Sequence, residues 1–167
     1  MKFEEAAHII ISVITISLAF SLFREPVFSP MTFFIILGTV GLGFIIHELA
    51  HKYVAIHYGA HAEYRAWTLG LFLALAMAFL TQGSFVFAAP GAVYIFGRVS
   101  REQNGIISLA GPLTNFTLAI IFLLLAAFTG ISKEFVSTGA FVNVMLGAFN
   151  MLPIPPFDGS KIFAWNK

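Results

Sequence analysis

Between Met31 and Tyr58 the chain is apolar over a length that can cross a membrane, and near its end the run is interrupted by His47-Glu48-Leu49-Ala50-His51. A stretch of this kind folds as a helix, which satisfies its own backbone polar groups inside lipid. Two imidazoles and a carboxylate are costly there, and intramembrane ionisable groups are functional by default. On a helix, residues four apart lie one turn above each other on the same face. His47 and His51 can therefore offer two nitrogens to one metal ion, with Glu48 beside them as a general base. The bland alternative is a chance pattern, or two histidines hydrogen-bonded inside a helix bundle. The cost of placing them in an apolar helix favours the metal reading.

Composition extends the membrane reading to the whole chain. Hydrophobic residues make up 59% and charged residues 10% of 167, far from the soluble average. A net charge of +1 without a basic stripe gives no case for a nucleic-acid partner. Cysteine is absent, so disulfides are excluded and any metal must be held by nitrogen and oxygen. The expected fold is an all-α integral membrane bundle of about four transmembrane helices, with a small membrane-associated β-hairpin or re-entrant region. No repeat or second domain is visible, so residues 1–167 form one membrane-embedded core.

The first helix is expected over 6–23. It carries no small-x-small cleavage site, so it reads as a retained span rather than a signal peptide. His8 has no second ligand at helical spacing and reads as a packed or interfacial histidine. The H-E-x-x-H helix follows over 31–58. Its Gly38, Gly41 and Gly43 form a small-residue patch for close helix packing. At 1.5 Å per residue His47 lies about 24 Å from Met31, inside a core of about 30 Å but near its far surface. His57 lies beyond the motif on another face and reads as interfacial.

Residues 59–105 form the β or re-entrant region. Gly59 to Arg65 reads as a polar loop. Trp67 to Leu80 is apolar but too short for a comfortable span. Ser84 to Phe87 and Val93 to Phe96 flank Ala88-Ala89-Pro90-Gly91, a hairpin pattern with Pro-Gly at the turn. Open sheet edges are not tolerated against lipid, so this piece belongs at the interface or around a cavity. It fits a plug, or an edge that takes in an extended peptide by strand addition.

The third helix is expected over 106–130, with Pro112 disfavouring continuity near its start. Asn115 is a polar amide in that apolar run, and interhelical glue and a polar site explain it equally well. The fourth helix, over 135–159, is broken by Pro153, Pro155 and Pro156, which end the helix and impose extended backbone. Asp158, the only aspartate, follows at once. An aspartate before glycine is an ordinary turn pair in a soluble loop. Beside an H-E-x-x-H pair that lacks a third ligand, Asp158 is the better candidate for metal binding.

These pieces must meet at one depth. If the second and fourth spans run outside to inside, the third runs inside to outside, and residues 59–105 leave and return on one side. Charge supports the same orientation. Lys2, Lys52, Arg65, Arg98, Arg101, Lys161 and Lys167 fall inside, while Arg24 and Lys133 fall outside, a positive-inside asymmetry. The site is expected near the cytoplasmic face of the cell membrane.

H-E-x-x-H at His47 to His51, together with N-x-x-P-x-P-x-x-D-G at Asn150 to Gly159, resembles the site-2 protease family of intramembrane zinc metalloproteases. Gly111 to Asn115 is similar to the family's G-x-x-x-N element, and the strands around Pro90-Gly91 resemble the β region of compact prokaryotic members. The resemblance implies one zinc ion on His47, His51 and Asp158, with Glu48 activating water. It also implies that Asn150 and Asn115 are polar groups of the active centre, candidates for binding substrate or the oxyanion. The implied substrates are single-span transmembrane proteins in the lipid bilayer, cut within or near their spans in regulated intramembrane proteolysis. No PDZ-like insertion lies at Gly130 to Glu134. Many compact relatives continue beyond the Asp-Gly motif, so a core truncated at its C-terminus is one expectation.

Two other functions compete. A prenyl-protein-processing type of H-E-x-x-H membrane protease would use a downstream glutamate, but Glu63, Glu102 and Glu134 fall in expected loops. A zinc carrier or sensor would need ligands along a path, whereas these converge at one depth.

Overall fold

The computed structural model describes residues 3–25, 27–84 and 90–165. The elements in order are α1 Phe3–Arg24, α2 Pro30–Ile36, a π-helical turn Leu37–Gly41, α3 Leu42–His57, β1 His61–Ala66, α4 Thr68–Leu80, β2 Gly91–Phe96, α5 Arg101–Phe128, α6 Lys133–Asn150 and α7 Asp158–Trp165. The chain divides into two compact units, Met1–Ile45 with Tyr64–Ala92, and Ile46–Glu63 with Val93–Lys167.

Three helical stretches are long and apolar enough to cross a membrane: Phe3–Arg24, Pro30–His57 and Arg101–Phe128. They expose much of their apolar surface. Ile10, Ile14, Leu113, Ile120 and Leu124 are each about half exposed, as suits helices solvated by lipid. The fourth expected span forms as α6 but is not in this class. Lys133 and Glu134 occupy its first turn and Asn143 lies in its interior, which lowers its mean hydropathy.

In the first unit, α1 packs against α2 and α4. Ala19, Ala74 and Ala78 form a small-residue core there. Gly41 does what the small-residue patch predicts, since a Cβ at that position would touch Ser17 and Val13 of α1 at 3.0 and 3.1 Å. The π-helical turn falls in the Leu-Gly-Thr-Val-Gly segment. Thr39 Oγ1 donates to the Ile35 carbonyl at 2.7 Å, a back-bond of the kind that disturbs regular helical pairing.

The β region differs from expectation in its pairing. Among the described residues, β2 pairs with β1, in the segment read as a polar loop. Phe96 lies against His61, and Gly91 against Arg65 and Ala66, so the strands are antiparallel. The reason is a period-2 pattern within polar residues: Ala62 and Tyr64 are buried while His61 and Arg65 are exposed. Buried Glu5 accepts the Tyr64 backbone N–H at 2.9 Å, and Tyr64 Oη donates to Ser12 Oγ at 2.9 Å. The expected partner strand, Ser84 to Phe87, lies outside the described residues except for Ser84.

In the second unit, α5 packs along α6 and α7. Glycines let aromatic rings approach: a Cβ at Gly139 would meet the Phe122 ring at 2.5 Å, and one at Gly105 would meet Trp165 at 2.6 Å. Ser100 caps α5 in a reciprocal capping box with Gln103. Pro112 sits inside α5 rather than breaking it. Between α6 and α7 the backbone is turned, not extended. Phe157 N–H donates to the Ile154 carbonyl at 3.0 Å, and Ser160 N–H to the Phe157 carbonyl at 3.1 Å.

Candidate metal centre

All members of the site lie in the second unit. Helix α3 presents His47 and His51 one turn apart, both buried. Their Nε2 atoms are 3.0 Å from each other. Asp158, the first residue of α7, brings Oδ2 to 3.3 Å from His47 Nε2 and 3.1 Å from His51 Nε2. Gly159 makes this placement possible, because a Cβ there would run into the Met151 and Leu152 carbonyl oxygens. The Asp-Gly pair is thus a candidate ligand followed by the residue that lets its helix start close to the end of α6.

The outer nitrogens are pinned. His51 Nδ1 lies 2.7 Å from the Ile107 carbonyl oxygen of α5. A carbonyl only accepts, so Nδ1 carries the proton and Nε2 of the neutral ring is a lone pair. His47 Nδ1 lies 2.6 Å from Asn115 Oδ1, an arrangement that also leaves Nε2 as an acceptor.

Two lone pairs and a carboxylate oxygen therefore face one another without a proton to share, a repulsive set unless a cation lies among them. Ligand atoms on a tetrahedral ion with bonds of about 2.0 Å stand about 3.3 Å apart, close to the three separations found. His47, His51 and Asp158 form a group that can hold a metal ion, the only group of three or more such residues among those described. Glu63, Glu102 and Glu134 do not join it.

Glu48 follows His47 on α3 and is half-buried. Its carboxylate accepts the backbone N–H of Val93 in β2 and lies within electrostatic reach of His47, Asp158 and Lys161. Strand β2 therefore helps to hold the Glu48 carboxylate, a contribution its sequence does not announce. Lys161 Nζ lies 3.7 Å from Asp158 Oδ1, so the two carboxylate oxygens face different ways, one to the histidines and one to a cation.

The two asparagines separate. Asn115 is fully buried and engaged at both ends, its Oδ1 on His47 and its Nδ2 donating to Asn143 Oδ1 at 2.9 Å. In this arrangement its carboxamide oxygen holds the His47 ring. Asn150, the last residue of α6, is half-buried and donates from Nδ2 to the Leu146 carbonyl at 2.9 Å. His57 is exposed and packs against the Tyr58 ring. Sequence reasoning missed the Ile107 carbonyl, Val93, Lys161 and Asn143. Only Asn143 had a signal, an amide in an apolar helix.

Three buried donors that can hold one metal ion, two of them in an H-E-x-x-H motif on a membrane-length helical stretch, are the donor set expected of a metallopeptidase. The family model for peptidase family M50 matches residues 32–135 and 126–165, and the chain belongs to that family, as its resemblance to site-2 proteases implied. It is 43% identical over 169 residues to "Putative zinc metalloprotease MJ0611" of Methanocaldococcus jannaschii, covering 99% of this chain and 87% of that protein. It is 26% identical over 152 residues to "Zinc metalloprotease MJ0392" of the same organism, covering 89% of this chain and 38% of that protein. With "Putative zinc metalloprotease YwhC" of Bacillus subtilis it shares 33% identity over 142 residues, 74% of this chain and 65% of that protein. The chain thus spans most of the first relative and less than two thirds of the other two. No solved structure gives a significant match.

Proposed function

We propose that the chain is a zinc metalloendopeptidase that hydrolyses peptide bonds within or near transmembrane segments of single-span membrane proteins. The observation that carries this reading is the meeting of His47, His51 and Asp158 within about one ligand spacing, with both histidines on a helical stretch long and apolar enough to cross a membrane. Zinc over other divalent ions is supported by the imidazole and carboxylate donors and by the names of the relatives. Zinc held there supplies a Lewis acid that polarises a carbonyl and lowers the pKa of water to about 7. Glu48 takes the proton of the attacking water on its carboxylate and passes it to the leaving amine. Val93 N–H and Lys161 keep that carboxylate oriented. Asn150 is the oxyanion donor in this scheme, exchanging its bond to the Leu146 carbonyl for one to the substrate.

Water must reach the site, and the positive-inside asymmetry supports an opening toward the cytoplasm. A substrate helix hides its carbonyls in internal hydrogen bonds, so it must unwind before attack. The two-stranded β1–β2 sheet is the candidate to hold the extended strand.

Glu48→Gln tests the reading on the purified full chain in detergent, with metal analysis and a single-span reporter. We expect one zinc per chain to remain and cleavage to fall by about 10²–10⁴-fold, the usual contribution of a general base. Undiminished cleavage refutes the assignment. A zinc carrier would instead keep transporting the ion in this variant.

A further inference from the structure

We propose that Asn143 is a positioning residue for the metal centre, fixing through Asn115 which nitrogen of His47 keeps its proton. The inference rests on the reading of the site as a zinc centre. An asparagine amide can exchange its oxygen and nitrogen with little change of shape, so only its partners decide how it sits. Here the partners form a chain with one possible direction. It begins at the Gly139 carbonyl of α6, which can only accept. Asn143 Nδ2 donates to that oxygen at 2.9 Å, so Asn143 must turn Oδ1 toward Asn115. Asn115 must then present Nδ2, at 2.9 Å, which leaves its Oδ1 for His47 Nδ1 at 2.6 Å. Nδ1 therefore donates, and Nε2 keeps its lone pair facing Asp158 and His51.

If the direction were reversed, Asn115 would offer an N–H to Nδ1. The His47 proton would move to Nε2, where it would point into the ligand set. Asn115 and Asn143 are both 0% exposed, so water does not replace a lost partner in this part of the packing. Interhelical glue alone would require only the bond between the two amides. It gives no reason for one end of the chain to be a backbone acceptor and the other a ligand histidine.

The experiment uses the full chain in detergent, with zinc affinity from chelator competition. Nitrogen-15 NMR of labelled histidine reads the His47 tautomer in the metal-free protein. Wild type, Asn143→Leu, Asn115→Leu and the double variant are compared. We expect Asn143→Leu to weaken zinc binding by about 10–100-fold, as outer-shell changes do, and to shift the His47 proton toward Nε2. In the Asn115→Leu background it should cost nothing further. Unchanged zinc affinity and tautomer in Asn143→Leu overturn the proposal. An equal loss in both backgrounds also overturns it, because the effect would then be packing damage. Should the leucine variant fail to fold, Asn143→Ser answers the same question, since its hydroxyl can bond Gly139 but is too short to reach Asn115. A wild type that binds no zinc refutes the zinc reading itself, while the tautomer comparison still decides the role of Asn143.

Discussion

Replacing Gly111 by alanine is expected to abolish metal binding and proteolysis together. A Cβ built on Gly111 falls 2.6 Å from His47 Nε2 and 2.6 Å from His51 Cε1, and closer still to His51 Nε2. Two atoms that each lie about 2.0 Å from a bound zinc leave no room for a methyl group at that distance. The rings have little freedom to retreat, because their Nδ1 atoms are held by Asn115 and the Ile107 carbonyl. The methyl therefore competes directly with the ion. Zinc affinity should fall by more than about 100-fold, beyond what outer-shell changes cost, since the ligands themselves are displaced. Alanine favours a helix more than glycine does, so α5 should survive. Elemental analysis, chelator competition and the reporter assay measure this. Stoichiometric zinc with normal cleavage in Gly111→Ala would show that the ions and rings lie elsewhere. The contrast with Glu48→Gln is diagnostic, because that variant should keep its metal.

Gly111 also illustrates which parts of the site can be read from a sequence. H-E-x-x-H was legible because helical spacing alone puts His47 and His51 on one face. Asp158 was legible because it is the sole aspartate and follows three prolines in a membrane chain. The Ile107 carbonyl was not, since every residue carries one and only the packing of α5 on α3 selects it. Val93 escaped for the same reason, its contribution being a backbone N–H. Asn143 resembles Asn115 in chemistry, but the pairing of the two needs the register of α5 against α6, which periodicity does not supply. Strand β1 was hidden by its polar residues. The alternation His-Ala-Glu-Tyr-Arg is a strand pattern whose buried face is small at Ala62, so hydropathy reads it as a loop. The first two long helices were legible to within three residues, whereas the third starts five residues before its expected 106, the fourth ends at Asn150 rather than 159, and α7 was not foreseen. Its eight residues follow a proline-rich turn and carry only a short apolar face, and packing against α5 stabilises them.

Asp158→Asn should also lose zinc, but in a way that added metal can reverse. The amide has almost the size of the carboxylate, so α7 should start where it does now and Gly159 should still seat it against Met151 and Leu152. What disappears is the negative charge 3.1–3.3 Å from both Nε2 atoms. A divalent ion held by two neutral imidazoles and an amide keeps its full charge in a buried site, and that is strongly unfavourable. Lys161, 3.7 Å from the other oxygen of Asp158, adds to the repulsion once its partner is neutral. We expect zinc affinity to fall by at least about 100-fold, the upper range for loss of an outer-shell partner, with cleavage falling in parallel at sub-saturating zinc. The two histidines and Glu48 remain, so raising free zinc should restore part of the cleavage by mass action. Glu48→Gln should gain nothing from added zinc because it already holds the ion, and Gly111→Ala should gain little because the methyl still occupies the space. A zinc titration of cleavage across the three variants separates a lost ligand charge from a lost base and from a blocked centre. If Asp158→Asn retained wild-type zinc affinity, Asp158 would not be the third ligand.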